Sequence, residues 1–261
     1  MVSGFTIISR LRPTRYLPTS SLTNDQEVIT LGTVSDNYIS VLNEVKQLTV
    51  KSGRKEDECT LVAVSKTKPV EMLREAYEAG CRDFGENYVQ ELVDKIPQLP
   101  GDIRWHMIGH LQTNKVKYIV GKTFLIHGVD SVKLAREIGK QSEKLGLVSD
   151  ILLEVNIASE ESKFGFKPDE VTDAVNEIAQ IPGVRIRGLM TSAPICENPE
   201  QNRVFFHNMK QLSIDIKKQK TDNVCMDYLS MGMSGDYVTA VDEGSTFVRV
   251  GTAIFGAREY H

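Results

Sequence analysis

The chain has 261 residues, 41% of them apolar, with a formal net charge of −4 and an isoelectric point near 5.8. That length suits one large domain, because a barrel of alternating strands and helices takes about 250 residues. The acidic balance leaves no overall basic field for nucleic acid, and no apolar run approaches the roughly 18 to 20 residues that span a bilayer.

Residues 1 to 24 differ from the rest. Arg10, Arg12 and Arg15 stand among several Ser and Thr residues, and no acidic residue precedes Asp25. The bias resembles a mitochondrial or other organelle transit segment, with an untranslocated disordered tail or a cloning remnant as alternatives, so residues 1 to 24 are set apart from a domain over 25 to 261. Cys59, Cys81, Cys196 and Cys225 are scattered, without a C-x-x-C pair or zinc-ligand spacing. Neither a disulfide framework nor a metal is expected, and a reducing, cytoplasmic setting fits best.

From about Glu27 to Val50, Leu31, Val34, Tyr38, Leu42 and Val45 recur at helical spacing, which predicts an amphipathic helix before the first strand. Leu61 to Val64 is apolar on both alternating faces, as expected of a buried parallel strand, and it runs straight into Ser65-Lys66-Thr67-Lys68-Pro69. Pro69 suits the first turn of a helix that ends at Gly80. A strand over 81–85, a helix opening at Glu86, a strand over 103–108 and a helix over 112–120 follow. Then come a strand over 124–127, a helix using Leu134 and Ile138, and a strand over 151–157. The helix after it carries Val171, Ala174, Val175 and Ile178 on one face. A strand over 184–190, a helix over 199–218, a strand over 228–231, a short helix over 235–242 and a strand over 247–250 complete the series.

Eight strand-then-helix units predict a single α/β barrel of the (β/α)8, or TIM, type. The main rival is a doubly wound open sheet. It lacks the G-x-G-x-x-G that a dinucleotide-binding version would place after the first strand.

In such barrels ligands bind at the strand C-termini, which singles out Lys66, Asn87, His106, His110, Asn156, the stretch 230–234 and the stretch 249–252. A lysine partly removed from water there has its charged form disfavoured, and its amine can attack a carbonyl. The loop Met231-Gly232-Met233-Ser234-Gly235-Asp236 and the turn Arg249-Val250-Gly251-Thr252 lie after strands seven and eight, where barrel loops often hold phosphate. Together the three elements predict a phosphate-bearing aldehyde joined to Lys66. Pyridoxal 5′-phosphate (PLP) meets that description. Trp105 is expected in the core, and His127, His207 and Cys196 as surface or packing residues.

Several stretches then show a resemblance: Val64-Ser65-Lys66-Thr67-Lys68-Pro69, Phe84-Gly85-Glu86-Asn87-Tyr88-Val89-Gln90-Glu91, Trp105-His106 through Gln112, Gly188-Leu189-Met190-Thr191, 230–236 and 248–256. From about residue 27 to 258 the chain resembles the PLP homeostasis protein family. The resemblance implies an alanine-racemase-like barrel with Lys66 as the Schiff-base lysine. It implies Ser234, Gly251 and Thr252 at the phosphate, Arg249 at the pyridine nitrogen, and Asn87, His106 and Met231 about the cofactor.

It also implies a monomer, cytosolic or mitochondrial, that buffers PLP or delivers it to apo PLP-dependent enzymes and affects amino-acid and keto-acid metabolism indirectly. The alternative is a racemase or lyase of low activity. Racemases of this barrel type take a second base from an additional β domain, and this chain stops just after its eighth strand. A base from within the barrel, such as His106, would have to replace it. A phosphosugar isomerase on the same loops would leave Lys66 and Arg249 unexplained.

Overall fold

A computed structural model describes residues 33 to 257, so the segment 1 to 24 and the first turn of the expected leading helix lie outside the described residues. Helix α1 (Val34–Lys51) starts at Thr33, whose side-chain oxygen accepts a hydrogen bond from the Asp36 amide, an N-cap that satisfies one of the first turn's open donors. Val34, Tyr38, Val41, Val45 and Thr49 form its buried stripe, with Leu42 at the margin.

Eight parallel strands then close on themselves in sequence order. They are β1 (Thr60–Val64), β2 (Asp83–Glu86), β3 (Arg104–Met107), β4 (Leu125–Val129), β5 (Ser149–Glu154), β6 (Val184–Met190), β7 (Val224–Met233) and β8 (Phe247–Val250). Closure is made by β1 against β8, with Val62 opposite Arg249 and Ala63 opposite Val250. The open-sheet alternative is thereby excluded. The connecting helices are α2 (Val70–Glu78), α3 (Val89–Lys95), α4 (Val132–Lys144), α5 (Val171–Ile178), α6 (Arg203–Lys218) and α7 (Tyr237–Asp242), with a single turn, α8 (Thr252–Phe255), after β8.

Two departures from expectation have local causes. The segment 112–120 forms only 3-10 turns, Thr113–Tyr118, because a short run holding Thr, Asn and Val cannot repay the cost of nucleating an α-helix. Strand β7 is ten residues long and continues to Met233. Its pairing with β8 is irregular between Ser230 and Met233, where Gly232 takes φ +91°.

Strand alternation builds two apolar layers. Leu61, Ala63, Phe84, Trp105, Ile126, Leu153, Leu189, Met231 and Val248 join the helices in one continuous cluster. Val62, Leu125, Leu152, Met190 and Phe247 form a second, smaller cluster on the inner face of the barrel. Each such side chain withdrawn from water contributes about 1.5–3 kcal/mol. Trp105 packs beside Phe84 with ring centroids 5.8 Å apart. Among the described residues no helix is long and apolar enough to cross a membrane.

Candidate cofactor site at the barrel mouth

A cleft of about 240 Å³ opens at the C-terminal ends of the strands, lined by Val64, Lys66, Asn87, Ile108, Ser192, Met233, Ser234, Arg249, Gly251 and Thr252. Six of the residues expected about the cofactor are on its wall: Lys66, Asn87, Ser234, Arg249, Gly251 and Thr252. They come from β1, β2, β7 and β8 and their following turns.

Lys66 stands just past β1, in a turn under constraint. Thr67 takes φ +62°, a left-handed conformation that costs a residue with a Cβ about 1–2 kcal/mol. Its amide donates to Oε2 of Glu91 at 2.8 Å, so the first turn of α3 holds the turn in place. Below it Ser65 is fully buried, and its hydroxyl donates to Oε1 of Glu86 at 2.7 Å.

The turns after β7 and β8 meet. The Gly251 amide donates to the Ser234 hydroxyl at 3.2 Å. A Cβ on Gly251 would lie 3.2 Å from the carbonyl oxygen of Val64, so glycine lets this backbone come close to the end of β1. Asp236 secures the other turn, accepting from the Met233 amide at 2.7 Å and from Asn202 Nδ2 at 2.8 Å.

Arg249 is 4% exposed, and three strands hold it. From β8 its Nη1 donates to the Ser230 hydroxyl on β7 at 2.6 Å, and its Nη2 donates to the Thr191 carbonyl after β6 at 2.8 Å. Burial draws the guanidinium down to about 10, against the attraction of Glu154 and Asp236. It stays a cation at neutral pH. Burial likewise lifts the Glu154 carboxyl to about 7, with Asp130 adding to the rise and Arg249 opposing it.

Two of the residues expected about the cofactor, His106 and Met231, are not on the wall. His106 is wholly buried inside the barrel, bound to Asp83 and His127, because on β3 it faces the interior one step short of the mouth. Met231 points the other way. With Ser230 turned inward, alternation sends Met231 into the layer between barrel and helices, and Met233 takes the place at the cleft. His110 belongs to neighbouring clefts, bonded to Asp130 at 2.9 Å and stacked on Phe164. Asn156 ties its own loop, donating to the Glu160 carbonyl. His207 pairs with Glu243 at the surface.

His127, which its sequence context marks only as a surface or packing residue, is fully buried and hydrogen-bonded at both ring nitrogens. The signal that would have found it is a polar residue on the inward parity of a strand, shared by Asp83, His106, Ser230 and Arg249.

A family model described as alanine racemase, N-terminal domain, matches residues 42–259. A pyridoxal phosphate homeostasis protein of Aquifex aeolicus is 42% identical over 221 residues, 84% of this chain and 96% of that one. The chain belongs to the pyridoxal phosphate homeostasis protein family. The family member of Escherichia coli is 37% identical over 235 residues, 88% of this chain and 99% of its own length. PipY of Synechococcus elongatus, whose structure is known with PLP bound, is 33% identical with a TM-score of 0.75, covering 85% of this chain and all of PipY. The alanine racemase of Clostridium difficile shares the fold, with a TM-score of 0.67 at 16% identity over 86% of this chain and 57% of that one.

Proposed function

We propose that this family member binds PLP in the mouth cleft, with Lys66 Nζ as the point of covalent attachment, and that it serves PLP homeostasis by buffering or delivering the cofactor. The observation that carries the reading is the convergence of Lys66, the paired Ser234 and Gly251 turns and the buried cation Arg249 on one cleft.

The residues fit the cofactor. The Oδ1 atom of Asn87 is buried at the cleft and has no hydrogen-bond partner among the described residues, which leaves an acceptor for a polar ligand group. Ser234, Gly251 and Thr252 offer hydroxyl and amide donors on a wall that glycine keeps open, as a phosphate requires. When bound, PLP supplies an aldehyde that condenses with primary amines and a ring that accepts electrons.

Arg249 governs how strongly that ring acts. A permanent cation on the cleft wall, it would disfavour a proton on the pyridine nitrogen placed against it, as the resemblance implies, and so would weaken the electron sink. Lys66 is anchored through Ser65 and Thr67, which limits how far its amine can stray from the cleft. The cleft is open to water, which suits exchange with incoming amines better than protection of a carbanion.

The same reading makes the protein a monomer of an aqueous, reducing compartment, without nucleic acid or membrane as partner, and makes apo PLP-dependent enzymes its recipients. The cytoplasm is the proposed location, with mitochondria as the alternative if residues 1 to 24 act as a transit segment. In support, all four cysteines are free thiols, and burial pushes Cys59 up to about 11 and Cys81 up to about 12, so neither is a reactive thiolate.

The test is to load the protein with PLP, reduce with borohydride and map the fixed adduct. Label on the peptide containing Lys66 supports the reading, and label elsewhere or none overturns it. Rapid exchange and scrambling of α-protons on amino acids in deuterated water would instead establish the racemase or lyase.

A further inference from the structure

The interior of the barrel holds a continuous row of hydrogen bonds from the closed end to the mouth. Arg104 grips Asp83 through two bonds, Nε to Oδ1 at 2.7 Å and Nη2 to Oδ2 at 2.5 Å. Asp83 Oδ1 lies 3.0 Å from His106 Nε2, and His106 Nδ1 lies 2.9 Å from His127 Nε2. His127 Nδ1 lies 2.9 Å from Ser230 Oγ, which accepts from Arg249 Nη1 at 2.6 Å. Six side chains from β2, β3, β4, β7 and β8 are joined. Phe247 stands against both imidazoles, with ring centroids 5.4 and 5.7 Å away, and keeps the row in an apolar surround.

The two ends set the direction of every proton. Arg249 can only donate, and the Asp83 carboxylate, kept ionised against its burial by hydrogen bonds from His106 and Arg104, can only accept. His106 Nε2 therefore carries hydrogen. Burial disfavours the charged form of both imidazoles, against the pull of Asp83 on His106; with both rings neutral, His106 Nδ1 is an acceptor and His127 Nε2 supplies the proton between them. His127 Nδ1 is then an acceptor as well, and the Ser230 hydroxyl donates to it while accepting from Arg249. With His106 neutral, no link reverses without leaving a buried donor facing a donor; a proton gained by His106 would turn both links toward Ser230 round and put hydrogen on Nδ1 of both rings.

We infer that His106, His127 and Ser230 are positioning residues for the cofactor, two neutral imidazoles locked as Nε2–H tautomers that fix the guanidinium of Arg249 against the cofactor cleft. The inference rests on the PLP-binding reading for its consequence. Its geometry belongs to the chain alone. Ser230 is the decisive link, because it is the one group that both accepts from the cation and donates to the row.

Two measurements test it. In the full chain without added cofactor, nitrogen-15 NMR of labelled histidine at pH 8 should show two imidazoles with protonated Nε2 and unprotonated Nδ1. A charged ring, or hydrogen on Nδ1 of either, overturns the inference whether or not the protein binds PLP. In the PLP-loaded protein, Ser230→Ala should move the pH profile of the visible absorbance band and weaken PLP binding about tenfold or more, as loss of a hydrogen bond to a buried charge predicts. If Ser230→Ala does not fold, Ser230→Cys, of similar shape but a poor donor, is read in the same way. A band, pH profile and affinity unchanged within about twofold in the folded variant would show a merely structural row and overturn the inference. Failure of the wild-type protein to take up PLP would overturn the functional reading instead.

Discussion

The ammonium of Lys95 lies 2.7 Å from Oε1 of Glu86 and 2.8 Å from the carbonyl oxygen of Ser65, the residue that precedes Lys66. Lys95 also reaches Oε2 of Glu91 at 3.0 Å, the same oxygen that receives the Thr67 amide. One buried cation on α3 thus ties down both flanks of Lys66. Burial pushes the Glu86 carboxyl up to about 7 even with Lys95 pulling it down, so the pair sits close to the balance between attraction and desolvation.

Replacing Lys95 with methionine leaves Glu86 and Glu91 facing each other without a counter-charge. Unfolding in urea should show a loss of about 3 kcal/mol or more at pH 8. The loss should shrink toward pH 5, because a Glu86 freed from Lys95 takes a proton more readily. PLP affinity should fall with it, since the turn holding Lys66 loses its brace. An unchanged midpoint at pH 8 would refute the brace.

Lys66→Ala should abolish the borohydride-fixed adduct in mass spectra while leaving a weaker uptake of PLP that inorganic phosphate displaces. The proposed phosphate donors at Ser234, Gly251 and Thr252 are untouched by the change, and only the proposed covalent link is removed. Adduct persisting on another lysine would place the attachment elsewhere.

Gly109→Ala puts a Cβ 2.5 Å from the carbonyl oxygen and 2.7 Å from the Cα of Asn87, both backbone atoms that cannot rotate aside. Overpacking of this kind costs about 1–3 kcal/mol and here displaces a cleft residue as well. Reduced PLP affinity together with a lower unfolding midpoint is the expected pair of effects. Gly101→Ala, with nothing within 4 Å of the added Cβ, should stay within about 0.5 kcal/mol of wild type and keep its affinity.

The pH dependence of stability should expose opposed titrations. His106 and His127 are held below the ordinary value of 6.5, so the unfolded chain binds more protons just below pH 6.5, and their contribution to stability is lost as pH falls. Glu86 and Glu154 are raised from 4.5 to about 7, so the folded chain binds more protons between those values, and their contribution grows as pH falls. Glu154→Gln removes one of the two compensating acids. Relative to wild type, the variant should lose stability between pH 7 and 5 at a rate of at most about 1.4 kcal/mol per pH unit. Parallel curves for the two proteins would show that Glu154 does not titrate in that range.

Much of this protein was legible from local pattern. Alternating apolar runs marked the eight strands, and Lys66, Asn87, Ser234, Arg249, Gly251 and Thr252 could be selected because each lies at or just past a strand end, where barrels bind ligands. Local pattern misjudged what depends on strand parity and on partners across the barrel. Met231 and Met233 differ by two positions in sequence, and only the irregular stretch at Gly232 decides which of them meets the cleft.

By itself the sequence determined the order of elements, the barrel class and the chemical identity of the mouth, because burial periodicity and glycine placement act over a few residues. Tertiary structure alone decided the interior row. His127 meets Ser230 103 positions away, and Arg104 meets Asp83 across a neighbouring strand. A buried polar group must find its partner wherever closure of the barrel brings one, and no local pattern carries that distance.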